Sequence, residues 1–270
     1  MEQPNNPGIV VSPMGVGEII DAGFNLTRRR YKRLILIGAW GLIPAGVAGV
    51  LSSVMTGDSF DMQLSPLLIP QLLLALANLV MTLLAYSAVA IACARIIDPD
   101  AQADDLEPGP LYRAALGRFW AQVGWGLIIV LMWIPLIIVF PLGIYLYVRW
   151  FLSWAAILVE RQGPIASLKR SWALTRRAWW HTFGVLLVAS IILGIVALVI
   201  VGVLMALGAA AGFLAGSAVV TQVMTSIAGT IGSLALTPLY VVYYVILYFE
   251  LRARNEGYDL SQRARQSTPM

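Results

Sequence analysis

The sequence predicts an all-α integral membrane protein, a six-transmembrane-helix bundle with short amphipathic helices on its cytoplasmic face, and three observations carry this expectation. Of the 270 residues, 59% are hydrophobic and 12% are charged, about half the charge of a soluble domain. The mean hydropathy is +0.81, too apolar for a disordered chain and too poor in charge to cover a water-facing surface. The charge-free stretches are long: 62–94 holds 33 residues, 119–148 holds 30, and 178–249 holds 72, interrupted only by His181. One helical crossing of a bilayer takes about 20 residues.

The spans expected from these runs are 34–56, 67–94, 120–140, 142–158, 182–207 and 218–248. The last run must turn back, and the glycine-rich patch from Gly208 through Gly212 to Gly216 and Ser217 is the natural place for it. The chain then reads as a single polytopic domain: a cytoplasmic segment with an interfacial helix (1–33), the six spans (34–248) and a cytoplasmic tail (249–270). The first apolar run follows a long polar segment and, at 23 residues, is longer than the ~7–15 of a secretory signal. It reads as an anchor.

Charge topology supports the count. Lysine and arginine stay on the cytoplasmic side of short loops. With six spans and both termini inside, 17 of the 18 cations fall on that side, Arg149 lies within a span, and Asp58 and Asp61 are the charges left outside. A single crossing over 120–158, or a dip-and-return of 142–158, would export the five cations from Arg161 to Arg177. The expected location is therefore the inner (cytoplasmic) cell membrane. The net charge of +4 describes a face toward anionic headgroups and not a nucleic-acid surface.

Composition also excludes chemistry. Cys93 is the only cysteine and His181 the only histidine, so an internal disulfide, a thiolate cluster or a histidine relay has no residues to build it. No acid lies inside any span, which disfavours ion-coupled transport, though a flippase or facilitator needs none. Glu160, Glu250, Glu256 and Asp259 are scattered over the ends of different segments. No nucleophile–base pair emerges, so neither an enzyme nor a cofactor or metal site is expected.

The residues that carry a candidate site lie near the inner face. On a helical wheel over 164–180, Ile165, Leu168, Trp172 and Trp179 fall within about 60° of one another. Lys169, Arg170, Arg176, Arg177 and Trp180 flank or oppose that stripe, the pattern of an interfacial helix whose cations reach lipid phosphates. At an offset of 148, Leu26-Thr27-Arg28-Arg29 matches Leu174-Thr175-Arg176-Arg177, which suggests repeated units of basic surface helix followed by hairpin. The connection over 111–120 occupies the same place before the middle hairpin, and the acidic stretch with Asp100, Asp104, Asp105 and Glu107 reads as a solvated linker.

Within the spans, Gly41, Ala45 and Gly49, and likewise Thr225, Gly229 and Ser233, recur every four residues, a spacing that brings helices close. Pro44, Pro135 and Pro238 each remove a backbone donor. Arg149 lies seven residues into the short fourth span, where a charge costs roughly 2.5–3.5 kcal/mol at mid-membrane. Its partner is expected to be a carbonyl, a neutral group such as Gln71, Asn78 or Gln222, or a lipid phosphate; alternatively the span is shifted so that Arg149 lies near an interface beside Trp150. The 160–180 segment and the tail from Arg252 leave spans on the same side, so they are expected to meet, with Glu160 or Glu250 paired to Arg252, Arg176 or Arg177.

The stretch Val159-Glu160-Arg161 through Ala166, Leu168, Lys169-Arg170-Ser171-Trp172, Leu174-Thr175 and Trp179-Trp180 resembles a signature of the bacterial glycerophosphoryl diester phosphodiesterase membrane domain family. The opening Met14-Gly15-Val16-Gly17-Glu18-Ile19-Ile20-Asp21 and the tail from Tyr248 through Glu250, Arg252, Arg254, Glu256 and Gly257 to Leu260 are similar to the same family, which often has Asp at the position of Glu250. The resemblance implies a polytopic membrane module. The His-Arg-Gly and Glu-Asn elements of the catalytic barrel are absent from this sequence, so the resemblance does not extend to phosphodiesterase activity. Two functions stay open: a non-catalytic scaffold or accessory protein that binds anionic membrane lipid, a lipid-processing partner or a second copy of itself, and a lipid or small-molecule permease without ion coupling. A substrate-sized cavity opening to one side would favour the permease, and a solid bundle with its small residues facing lipid would favour the scaffold.

Overall fold

The computed structural model describes residues 13–56, 68–98, 106–136 and 140–256. Among these the helices are, in order, α1 (Val16–Thr56), α2 (Leu68–Ile97), α3 (Pro108–Leu116), α4 (Phe119–Leu136), α5 (Phe140–Trp150), α6 (Ser153–Glu160), α7 (Pro164–Thr175), α8 (Trp179–Ala215) and α9 (Ala218–Glu256). Among the described residues five stretches are long and apolar enough to cross a membrane, α5 and α6 together forming one of them; α3 and α4, bent by 56°, make a sixth if taken as a pair. Outward-facing residues are apolar as well: Leu36, Trp40, Ile43, Val47 and Leu51 on α1, and Ile191, Ile195, Leu198 and Val199 on α8, are all exposed. Helices apolar on every side are compatible with a multi-pass membrane protein. Asp58, Asp61, the acidic stretch over 99–105 and the tail beyond 256 lie outside the described residues.

α9 packs between α1 and α8, and α2 lies against both α1 and α9. Glycines on one helix clear space for tyrosines of another, and each hydroxyl ends on a backbone carbonyl. Tyr243 lies over Gly23 and donates to the Ile20 carbonyl at 3.0 Å; Tyr112 lies over Gly41 and donates to the Ile37 carbonyl at 3.0 Å. In hydrocarbon no water solvates a phenol, so a buried tyrosine is stable where it finds such an acceptor. The small residues of α1 also face inward, with Gly46 against Thr230 and Gly49 beside Asn78.

Four expectations are corrected. The interfacial helix expected within 1–33 is not separate: α1 runs from Val16 to Thr56, because the buried positions Ile19, Leu26, Leu34, Ile37 and Ala45 continue one helical face through the cations. The turn of the last run is confined to Gly216, at φ 65°, and Ser217. Gly208 and Gly212 stay inside α8, where they let the backbone of α9 approach at Met224 and Thr221. The helix expected over 164–180 ends at Thr175, and Trp179 and Trp180 begin α8. The repeat is thus imperfect. Leu26 and Thr27 are buried like Leu174 and Thr175, but only the second copy breaks.

The fourth correction concerns 142–158, which keeps the length of a span, as Pro141–Glu160, but is two helices separated by Phe151 and Leu152. A break frees backbone groups that must find partners. Tyr244 of α9 supplies both: its hydroxyl accepts from the Ala155 N–H at 3.0 Å and donates to the Phe151 carbonyl at 2.7 Å. The ring packs on Phe151 and Trp154. Gln122 of α4 ties the middle helices together, accepting from the Ser87 hydroxyl at 2.6 Å and from Trp154 Nε1 at 3.1 Å.

α6 ends at Arg161, a non-glycine residue at φ 55°. An L-residue there costs about 1–2 kcal/mol. Arg161→Gly is therefore expected to stabilise the chain by about 1 kcal/mol, read as a rise in the midpoint of thermal unfolding in detergent; an unchanged or lower midpoint would mean that the arginine side chain offsets its own backbone strain.

Candidate functional site

Two ion-pair clusters and one lone guanidinium lie where the ends of α6 and α9 meet α7 and the start of α8. In the first cluster Glu160, the last residue of α6, accepts from Arg170 of α7 through Nε and Nη2 at 2.8–3.0 Å. Arg170 also binds Glu256 of α9, with Nη2 at 2.9 Å from Oε2. Arg252 approaches Glu160 at 3.8 Å and Glu256 at 3.6 Å, and the Tyr248 hydroxyl donates to Glu160. Asn255 donates to the Leu174 carbonyl at 2.9 Å. The 160–180 segment and the start of the tail therefore meet, as their charges suggested. Hydrogen bonding from Arg170 holds the Glu256 carboxyl below its ordinary range, and the Glu256 and Glu160 carboxylates raise the Arg170 guanidinium above its own.

The second cluster pairs the opening of the chain with its close. Glu250 is fully buried, and its partner is not Arg252, Arg176 or Arg177 but Arg254, one turn on in the same helix, at 2.7 Å. The Met14 N–H and His181 Nε2 each lie 3.4 Å from the same carboxylate oxygen, and Arg254 Nη2 donates to the Met14 carbonyl at 3.0 Å. An acid placed four residues before a base was a local signal for Glu250–Arg254. Nothing local pointed to Met14 or His181.

Arg149 is 7% exposed. Its partner is Tyr145, one turn earlier, whose hydroxyl accepts from Nε at 3.1 Å and Nη2 at 2.8 Å. Gln71, Asn78 and Gln222 do not serve; Asn78 donates instead to the Ala45 carbonyl at 2.7 Å. The guanidinium lies 5.0 Å from the Tyr145 ring centre and 4.9 Å from that of Trp172, in reach of both π faces. The Ser171 hydroxyl donates to the Arg149 carbonyl at 2.7 Å. These contacts place Arg149 against α7, beside Ser171 and Trp172. Among the described residues no carboxylate pairs with Arg149, and its buried Nη1 has no hydrogen-bond partner.

The remaining candidates divide by exposure. Ser167, Ser171, Leu174 and Thr175 form the buried face of α7, while Ile165, Lys169, Trp172 and Arg176 point outward, with Arg177 and Trp180 exposed just beyond the helix. Trp179 is half-buried and stacks on Tyr145 at 5.8 Å and on Phe183 at 5.3 Å. Arg170 is already matched by two carboxylates. A further cation, Arg118 at the α3–α4 corner, donates from Nη1 to the Ala114 carbonyl at 3.4 Å. Phe183 also lines an apolar cavity of about 720 Å³ between α5, α6, α8 and α9, together with Tyr147, Phe151, Leu186, Ser190 and Tyr244. A smaller pocket of about 290 Å³, polar and lined by Asn78, Thr82, Ser226 and Thr230, lies between α1, α2 and α9; Tyr86 borders both. Among the described residues no cluster of histidine, cysteine and acids forms a metal site.

The described residues form an all-helical fold with five or six stretches long and apolar enough to cross a membrane, compatible with a multi-pass membrane protein. The chain belongs to the DUF7847 family, a domain of unknown function, whose model matches residues 66–251. α1 precedes the match, and Arg252, Arg254 and Glu256 follow it. No curated protein and no solved structure matches the chain.

Proposed function

We propose that the chain is a non-catalytic module of the inner cell membrane, with six spans and both termini cytoplasmic, that binds anionic lipid at its cytoplasmic face and serves as a scaffold or accessory to a lipid-processing partner or to a second copy of itself. The observation that carries this reading is the two-sided α7, which buries hydroxyls and Leu174 against the bundle while Ile165, Lys169 and Arg176 are exposed and Trp172, over Arg149, is exposed in part. An apolar and cationic face of this kind fits the headgroup layer of an anionic leaflet. The resemblance to glycerophosphoryl diester phosphodiesterase membrane domains agrees with a lipid-associated role and supplies no activity. A second reading, a lipid or small-molecule permease, is favoured by the two cavities that share Tyr86 and by the inward-facing glycines of α1.

One reconstitution tests both. In vesicles mixing phosphatidylglycerol with phosphatidylcholine, spin-labelled phosphatidylglycerol is expected to be enriched around the protein, and Lys169→Gln/Arg176→Gln/Arg177→Gln is expected to lower that enrichment. Equal partitioning of the two lipids around the unaltered protein would overturn the lipid-binding reading. Accelerated exchange of labelled lipid between leaflets would move the permease ahead.

A further inference from the structure

We propose that Arg149 and the cavity between α5, α6, α8 and α9 form one built site for a single anionic glycerophospholipid, the phosphate on the guanidinium and an acyl chain in the cavity. This rests on the lipid-binding reading above and names the site at which one lipid is held tightly. The first support is electrostatic. Arg149 is buried with no carboxylate among the described residues, and its Nη1 has no acceptor. A buried donor on a charged group is costly until an anion meets it, and a phosphate accepts from a guanidinium in a planar, two-bonded geometry.

The second support is the route from the charge to the cavity. Tyr145, which holds Arg149, stacks on Trp179, and Trp179 stacks on Phe183 in nearly parallel planes, at 5°. Phe183 forms part of the cavity wall, as do Val148, the residue before Arg149, and Leu186, Leu187 and Ser190 farther along α8. An amphiphile with its phosphate at Arg149 therefore has an apolar volume along the same face of α8 to receive its chain. At about 720 Å³ the cavity is within the range of sites that enclose small molecules.

The third support is the approach. Trp172 lies over the guanidinium and is itself 37% exposed, so a rotation of its indole uncovers the charge. Lys169 and Arg176, three residues before and four after it, are exposed on the same side of α7 and draw an anionic headgroup toward it. An anion in this position is the counter-charge that Arg149 lacks among the described residues.

Native mass spectrometry of the full chain released from micelles, with phosphatidylglycerol or phosphatidylcholine added, tests the site. The expected result is one retained phosphatidylglycerol per chain, lost by about tenfold or more in Arg149→Gln and separately in Ser190→Trp, which fills the cavity. Ser190→Trp changes an exposed position and so keeps the test independent of any folding defect in Arg149→Gln. Lys169→Gln/Arg176→Gln/Arg177→Gln is expected to lose the surrounding enrichment and to weaken retention of the single lipid less than Arg149→Gln does. Retention unchanged in both Arg149→Gln and Ser190→Trp overturns the site even where the unaltered protein prefers phosphatidylglycerol. No preference for phosphatidylglycerol in the unaltered protein overturns the underlying reading as well. Displacement by glycerol phosphate alone at equal concentration would remove the acyl-chain half of the proposal.

Discussion

Tyr244→Phe is expected to destabilise the protein by about 2–4 kcal/mol, although it deletes one oxygen atom and leaves the ring in place. That hydroxyl serves both the Ala155 N–H and the Phe151 carbonyl at the break between α5 and α6. Without it, two backbone groups lose their partner where water does not replace it, and each unsatisfied group costs about 1–3 kcal/mol. Unfolding titrated with sodium dodecyl sulfate in mixed micelles measures the loss. A change below about 0.5 kcal/mol would show that the break is held by other means. Tyr240→Phe on the same helix is the control, since its hydroxyl reaches the Leu193 carbonyl only at 3.5 Å.

Arg170→Ala carries the second large effect, about 2–3 kcal/mol. Arg170 hydrogen-bonds both Glu160 and Glu256 through its fork, and Glu160 is mostly buried. Its removal leaves two carboxylates facing each other with Arg252 at 3.6–3.8 Å as the neighbouring cation. Arg170→Lys is expected to recover part of the loss, because one ammonium keeps the charge but not the planar fork. The same contact sets a pH dependence. The Glu256 carboxyl is held below its ordinary value by Arg170 in the folded chain, so this stabilisation is complete above the ordinary carboxylate pKa, near pH 4, and is lost as pH falls through the lower folded value. Arg170 is raised, so its side of the pair persists throughout the neutral and acidic range. Thermal unfolding of the unaltered protein should therefore fall more steeply with acid than that of Arg170→Ala.

The long apolar helices were legible because a bilayer imposes a length: a run without charge that exceeds about 20 residues has few other places to go. Where a helix pauses was not legible. Phe151 and Leu152 include neither glycine nor proline, and the residue that permits the break, Tyr244, is about ninety positions away on α9. The glycine patch misled for a related reason, since Gly208 and Gly212 serve a close crossing with Met224 and Thr221 and only Gly216 turns. At the candidate site, contacts one helical turn apart were readable in principle, as with Tyr145–Arg149 and Glu250–Arg254. Arg170–Glu256 and His181–Glu250 join α7 and α8 to the end of α9. Charge topology brought those segments to one face without saying which acid would meet which base.

α1 is 41 residues long without interruption, about 60 Å of rod against a hydrocarbon layer of about 30 Å. A rod that long works as a lever. Just before its first turn the Met14 backbone is knotted to Glu250 and Arg254, so a pull on that knot is spent on tilting the whole rod. Its weakest joint is Pro44, where the backbone ladder lacks a bond. Leu42, Ala45 and Gly46, on either side of that joint, wall the small polar pocket. One unbroken helix thus carries both the Met14 end that meets α9 and the wall of that pocket.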